Sequence, residues 1–336
     1  MSVTDPKGFR AAGVAAGLKA SGGPDLALVV NDGPDATAAG VFTANKVKAA
    51  PVLWSQQVLR AGIVRAAVLN SGGANACTGR QGFQDTHATA EFVAARLTAS
   101  SPRLVVGAAD VAVCSTGLIG ERLPMPKLLT GVEAAVRGLN RNGGPDAARA
   151  ILTTDTRTKT TTVAGQGWTV GGMAKGAGML APGLATMLCV LTTDAVVPSS
   201  TVDGALREAT RRTLDRVDSD GCMSTNDTVL LLASGASGVA PDEAAFAEAV
   251  YEVCADLAGQ LLADAEGATK DVTIDVAING VAVCRRGAAG EPRDLVDLAG
   301  RAVRIVVDLH AGAAAATVWT NDLSVGYVHE NSAYSS

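Results

Sequence analysis

The stretch Lys175-Gly176-Ala177-Gly178-Met179-Leu180-Ala181-Pro182-Gly183-Leu184-Ala185-Thr186-Met187-Leu188-Cys189 sets a threonine between a loop rich in glycine and proline and an apolar run that reads as a buried strand. A threonine hydroxyl is a poor nucleophile until a base takes its proton. One source of that base is the threonine itself: if the chain is cut just before it, its own α-amine can do the work. A free α-amine has a reference pKa of about 7.7 to 8.0, so much of it is neutral and basic at cellular pH. Thr186 at the first position of a strand would hold amine and Oγ together. From pattern alone, the simpler reading is a strand that begins with a β-branched residue.

Other polar clusters carry less. Met173-Ala174-Lys175-Gly176-Ala177-Gly178 contains glycine and lysine but has neither the spacing of a Walker loop nor that of a dinucleotide fingerprint. The run Asn70-Ser71-Gly72-Gly73-Ala74-Asn75-Ala76-Cys77-Thr78-Gly79 follows an apolar run and could aim polar side chains into a cleft, but by itself reads more readily as a structural turn. The six cysteines, at 77, 114, 189, 222, 254 and 284, form no Cys-x-x-Cys pair, so reduced and mostly buried thiols are expected. His87, His310 and His329 show no ligand spacing and read as ordinary surface or core histidines, so no metal is expected.

The elements that must position these residues are legible in outline. Of 336 residues, 48% are hydrophobic and 18% charged, which excludes disorder and coiled coil. Aromatic residues make up only 3% against 38 glycines, so the core must be Ala, Val and Leu packed at close backbone distances. A net charge of −5 without a basic run argues against nucleic acid as a partner. The longest apolar stretch, Gly176 to Leu191, is interrupted by Gly178, Pro182, Gly183 and Thr186 and is too short to span a membrane. Asp5, Pro6 and Gly8 stand where a signal peptide would be apolar, so a cytoplasmic location is expected.

Short apolar runs at Leu26 to Val30, Ala67 to Leu69, Val111 to Cys114, Met187 to Leu191 and Val229 to Ala233 read as buried strands. Helical spacing covers Asp85 to Ala99 and Val202 to Val217, and Pro241-Asp242-Glu243 opens a helix with apolar residues at Phe246, Val250, Val253, Leu257 and Leu261. Val272 to Ile278, Asn279-Gly280 and Val281 to Val283 form a hairpin pattern, and Arg304 to Leu309 and Ala315 to Thr320 add late strands. The mixture predicts an α/β or α+β fold with sheets covered by helices, and Gly138 to Pro145 is the best candidate for a linker. Length allows one large domain or two modest ones.

Lys175 to Leu188 resembles the signature of the ornithine acetyltransferase family, the arginine-biosynthesis J proteins. Further stretches are similar to that family in the same order: Asn70 to Gly79, Cys114-Ser115-Thr116-Gly117-Leu118-Ile119-Gly120, Thr153-Thr154-Asp155, Ser224-Thr225-Asn226-Asp227-Thr228, Asp264-Ala265-Glu266-Gly267 and Glu330-Asn331-Ser332-Ala333-Tyr334-Ser335-Ser336. The resemblance implies a layered helix-sheet-sheet-helix sandwich with a smaller C-terminal lobe. It also implies self-cleavage between Ala185 and Thr186, giving an α chain 1–185 and a β chain 186–336, two of each per assembly. The implied reaction is ping-pong transfer of acetyl from N2-acetylornithine to glutamate through acetyl-Thr186, with acetyl-CoA as a further candidate donor and no metal or organic cofactor. Thr116 and Gly117 match the family's oxyanion hole, and Thr153, Lys175, Thr186, Glu266, Asn331 and Ser336 match its substrate-binding positions. The resemblance overturns the simpler readings of Thr186, of Glu266 as a surface carboxylate, and of Asn331 and Ser336 as a frayed tail.

The pattern breaks in one place. The family's Asp-Pro-Asn-Trp-Gly-Arg turn and the helix near it have no counterpart, as though two distant strands had been joined between Asp271 and Ala277. Two alternatives therefore stand beside the acetyltransferase reading. One is an uncleaved, inactive remnant, and the other an aminopeptidase of the same self-processing fold.

Overall fold

The computed structural model describes residues 2–101, 104–178, 187–218 and 223–265, followed by strand segments 275–279, 281–285, 288–289, 303–308 and 318–320. The chain divides into two compact units, 1–268 and 269–336. In chain order the first unit runs β1 (Phe9–Val14), β2 (Leu26–Asn31), β3 (Thr37–Phe42), α1 (Ala50–Val58), β4 (Ala66–Gly73), α2 (Gly79–Ser100), β5 (Val111–Leu118) and α3 (Met125–Gly138). It continues with α4 (Gly144–Ala150), β6 (Lys159–Ala164), β7 (Thr169–Lys175), β8 (Leu188–Thr193), α5 (Ser199–Arg212), β9 (Thr228–Ala233) and α6 (Glu243–Leu262).

These elements form two sheets, ordered β1-β2-β4-β5 and β3-β9-β8-β7-β6. All pairings are antiparallel except β4 with β5 and β8 with β9. Because side chains alternate across a strand, each central strand feeds two cores. Ala27, Val29, Ala67, Leu69, Ala112 and Cys114 of the first sheet meet Leu188, Val190, Leu230 and Leu232 of the second, forming the layer between the sheets. The alternate residues Leu26, Leu28, Val30, Val68, Val111 and Val113 pack under α2 and α3. On the far side, Cys189, Leu191, Val229 and Leu231 pack under α5 and α6. The result is the helix-sheet-sheet-helix sandwich expected, with alanines at the sheet interface as the scarcity of aromatics requires.

All five buried-strand expectations correspond to strands, and Phe246, Val250, Val253, Leu257 and Leu261 are all buried on α6. Asp242 caps that helix, its carboxylate accepting from the Ala244 and Ala245 amides. Three boundaries differ. Helix α2 starts at Gly79 rather than Asp85, because Asn75 reaches forward to the Gly82 carbonyl (2.8 Å) and Thr86 hydroxyl (2.9 Å) and orders the first turn. Helix α5 stops at Arg212, where Thr213 leaves helical geometry and a short 3-10 turn follows. The expected linker at Gly138 to Pro145 is instead an internal turn: Asn140 exchanges backbone hydrogen bonds of 3.0 and 3.1 Å with Ala11, and α4 begins at Gly144. Gly143 permits this approach, since a Cβ there would fall 1.8 Å from the Ala11 carbonyl oxygen. Strands β1, β3, β6 and β7 were not expected; their many glycines, alanines and threonines blur the apolar pattern.

The second unit contains an antiparallel sheet of β10 (Asp275–Ile278), β11 (Val281–Arg285), β12 (Ala288–Ala289), β13 (Val303–Asp308) and β14 (Val318–Thr320), in the order β12-β11-β10-β13-β14. The expected hairpin is present, with Ile278 opposite Val281 and Asn279 at φ +49° in the turn. Its register shifts between Val276 and Ala277.

Candidate active site

Parallel pairing carries β4 and β5 to a common end, where Asn70 faces Ser115 and Ser71 faces Thr116. Ser115 donates to Asn70 Oδ1 (2.6 Å), and Asn70 Nδ2 donates to the Gly73 carbonyl (2.9 Å), so the first polar residues of the Asn70 to Gly79 run are used structurally. Gly117 stands next to Thr116 at φ +128°, and a Cβ there would lie 2.6 Å from the Gly72 carbonyl carbon and the Gly73 nitrogen. Only glycine fits this backbone, and the β4–β5 register shifts beside it, between Gly72 and Gly73.

The second sheet brings a lysine to the same place. Lys175 ends β7, pairs across the ladder with Leu188 at the start of β8, and is buried. Its Nζ lies 3.5 Å from Thr116 Oγ1. An ammonium is only a donor, so the Thr116 oxygen accepts and its own O–H is left to point elsewhere. Burial pushes the Lys175 pKa below its usual value, against the opposing pull of Asp155.

Asp155 organises this corner, with a side chain wholly inaccessible to solvent. Its Oδ1 accepts from Lys159 Nζ (2.7 Å) and the Gly176 amide (2.6 Å). Its Oδ2 accepts from the Thr153 amide (3.0 Å), lies 3.5 Å from the Thr153 hydroxyl, and is 3.8 Å from Lys175 Nζ. Burial alone would raise its pKa, but Lys175, Lys159 and the Thr153 amide outweigh that and hold the carboxyl below the usual range. Lys159 in turn bonds Asp264 (2.6 Å), which also accepts from the Thr156 amide and hydroxyl. Asp264 is held down as well, burial being outweighed by these Lys159 and Thr156 bonds.

A third loop, Ser224 to Thr228, completes the corner. Asn226 Nδ2 donates to the Ala74 (2.7 Å) and Ser115 (2.9 Å) carbonyls, tying the loop to the first sheet. Asp227 is fully buried, and its Oδ1 accepts from the Met187 amide at 3.0 Å.

Thr116, Gly117, Lys175 and Thr153 are thus brought together through Asp155. Thr186 and Ala185 lie outside the described residues, as do Glu266, Asn331 and Ser336. Met187, the residue after Thr186, is described and lies just before β8. Sequence reasoning quoted the stretches containing Asp155, Asp227 and Asp264 but gave these carboxylates no role, and it passed over Lys159 entirely. A charged residue inside an otherwise polar-neutral motif was the available signal. Among the described residues, no helix is long and apolar enough to cross a membrane, and no group of three His, Cys, Asp or Glu side chains could hold a metal ion.

The ArgJ family model matches residues 10–280 and 273–336. The arginine biosynthesis bifunctional protein ArgJ of Streptomyces avermitilis is 58% identical over 390 aligned positions that cover all of both chains. Set against the 336 residues present here, that alignment leaves 54 positions without a residue of this chain. ArgJ of Mycobacterium tuberculosis is 52% identical over 391 positions, covering 99% of this chain and 96% of its own. Among solved structures, ornithine acetyltransferase from M. tuberculosis in complex with ornithine matches at 62% identity and TM-score 0.53, over 56% of this chain and 96% of that one. Fold and similarity together define an acyltransferase. The chain belongs to the ArgJ family.

Proposed function

We propose that the protein is a glutamate N-acetyltransferase of arginine biosynthesis that cleaves itself between Ala185 and Thr186 and then uses Thr186 to carry acetyl from N2-acetylornithine to glutamate. The observation that carries this reading is the contact of Thr116 with Lys175, where the two sheets converge beside the start of β8. With its oxygen occupied by Lys175, the Thr116 hydroxyl has its hydrogen available for an oxyanion, and the amide of Gly117, at a positive φ beside a shift in the β4–β5 register, is the proposed second donor. Names of relatives support the substrate class, since they include an arginine-biosynthesis protein and an acetyltransferase bound to ornithine.

In the first half-reaction, the freed α-amine of Thr186 takes the Oγ proton as Oγ bonds to the acetyl carbon of N2-acetylornithine. The acetyl oxygen becomes an oxyanion facing Thr116 and Gly117. The C–N bond then breaks, and the amine of ornithine leaves with the proton. Glutamate reverses these steps as acceptor and leaves as N-acetylglutamate. Acetyl-CoA could enter at the same first step as a second donor. Lys175 and Thr153, together with Glu266, Asn331 and Ser336, are the proposed contacts for substrate carboxylates and ammonium groups. No metal or organic cofactor has a task in this sequence. Two α chains, 1–185, and two β chains, 186–336, are the proposed assembly. The solved relative's match over 56% of the chain supports such a division, since residues 1–185 are 55% of 336.

Intact mass under denaturing conditions, run beside Thr186→Ala, tests the reading. Two fragments meeting at Ala185/Thr186 in the wild type, and a single chain in the variant, are expected, with acetyl transfer confined to the cut protein. A wild-type chain that stays whole would refute the proposal and leave an inactive remnant. Hydrolysis of peptide amides without transfer to glutamate would favour an aminopeptidase.

A further inference from the structure

The loop that joins β1 to β2 lies against the strand end that carries Thr116 and Gly117. Asp25 at the base of this loop is fully buried, and its carboxylate accepts from the amides of Ala16 (2.6 Å), Leu18 (2.6 Å) and Lys19 (3.0 Å). The Asp25 carbonyl accepts from the Ser71 amide (2.9 Å), which fastens the loop to β4 at the residue opposite Thr116. The loop also packs on Gly72, the partner of Gly117, since a Cβ at Gly72 would fall 3.0 Å from the Leu18 carbonyl. Lys19 is the next residue along, so backbone bonds carry a cation to the site. Its side chain is half-buried, and Nζ donates to the Pro24 carbonyl (2.7 Å). An ammonium has three donors, which leaves two for a ligand.

Two other lysines, Lys159 and Lys19, act on the buried Lys175 ammonium, each adding to the fall in pKa that burial causes there. Lys159 is wholly inaccessible, with Asp155 and Asp264 both on its Nζ. Lys19 is the one that a substrate can reach. Burial lowers its own pKa, with Asp25 and Asp155 opposing. Neither carboxylate is free to leave its place for Lys19, because three amides hold Asp25, and Lys159, Gly176 and Thr153 hold Asp155.

The two substrates differ at the end of the side chain. N2-acetylornithine has one carboxylate and a side-chain ammonium, whereas glutamate has a second carboxylate. A fixed, buried lysine suits the carboxylate that both carry. A cation on a long, half-exposed stem suits a group that only one of them brings, because it can swing toward an anion and away from an ammonium. We propose that Lys19 selects glutamate as the acceptor, its ammonium binding the side-chain carboxylate of glutamate while Lys175 binds the carboxylate common to both substrates. This rests on the acetyl-transfer reading given above. The same charge repels the side-chain ammonium of ornithine, so it favours the exchange of one amino acid for the other by repulsion as well as by attraction.

The test compares full-length wild type, Lys19→Met and Lys19→Arg, each checked by intact mass, with N2-acetylornithine as donor. Methionine keeps an unbranched stem without the charge, and the loop keeps the backbone bonds to Asp25 that hold it. In Lys19→Met, kcat/KM for glutamate is expected to fall about 10-fold or more relative to glutamine, a neutral acceptor of the same shape, and relative to exchange of acetyl onto labelled ornithine. Most of the loss should lie in KM, and Lys19→Arg should restore most of the preference. Unchanged ratios overturn the proposal. So does a loss shared equally by ornithine exchange, which would make Lys19 a contact for the common carboxylate or a prop for the loop. If Lys19→Met does not mature, reductive methylation of the wild type by formaldehyde and cyanoborohydride, mapped by mass spectrometry, replaces it. Glutamate should then protect Lys19 and ornithine should not, and equal protection or none overturns the proposal. A wild type that transfers no acetyl to glutamate refutes the acetyl-transfer reading and this inference with it, whereas an active wild type whose Lys19→Met variant keeps its preference for glutamate refutes only the role of Lys19.

Discussion

Replacing Asp155 by asparagine removes one negative charge from a corner that holds two buried lysines. Lys159 keeps a partner, because Asp264 lies 2.6 Å from its Nζ. Lys175 keeps no carboxylate within ion-pair distance among the described residues, its remaining close contact there being the neutral Thr116 hydroxyl at 3.5 Å. Removing one member of a buried ion pair costs about 3 to 5 kcal/mol. The surviving Asp264 contact, and the amide oxygen that can still accept from Gly176 or Thr153, place the expected loss near the lower end, about 3 kcal/mol. The dependence on pH follows from the depressed carboxyl. Asp155 titrates below its ordinary value when folded, so its contribution is complete above the unfolded carboxyl pKa of about 3.9 and is lost as pH falls through the folded value. Urea denaturation of wild type and Asp155→Asn at pH 7, and again at successive steps below pH 4, measures both quantities. A difference under about 1 kcal/mol at pH 7 would refute the picture of Asp155 as the partner of Lys175. So would a difference that persists undiminished through the acid range.

Gly117→Ala should cost at least about 2 kcal/mol of stability and 100-fold or more in acetyl transfer, because the added Cβ meets the Gly72–Gly73 peptide at 2.6 Å on a backbone at φ +128°. A melting temperature and kcat close to wild type would show that this strand end is not the donor proposed. Among the described cysteines, Cys77 is exposed, whereas burial pushes Cys114 and Cys254 up to about 12 and Cys189 well above its usual value. A thiol reagent at pH 8, mapped by mass spectrometry, should label Cys77 in the native protein and reach the other three only on unfolding. Native labelling of Cys114 at a rate near that of Cys77 would contradict the packing between the sheets.

The sequence by itself determined the strands that are continuous apolar runs, the layered class of the fold, and the residue types of the site. Leu26 to Val30 and Val229 to Ala233 are legible because every residue is apolar and buried on one face or the other. Thr116, Gly117, Thr153 and Lys175 were legible as motif positions, and three of the four gain a side-chain contact that the motif alone does not describe. Strands β1, β3, β6 and β7 were not legible, since their glycines, alanines and threonines give no apolar pattern and take strand conformation from their ladder partners, which for β3 is β9, about 190 positions away. Tertiary structure alone decided which charges meet. Asp155 and Asp264 are 109 positions apart and bind one lysine, and Asp227 reaches the Met187 amide 40 positions away. Local pattern encodes which face of an element is apolar. It does not encode which buried carboxylate ends beside which buried ammonium, because that depends on how two sheets, each assembled from distant strands, are laid against one another.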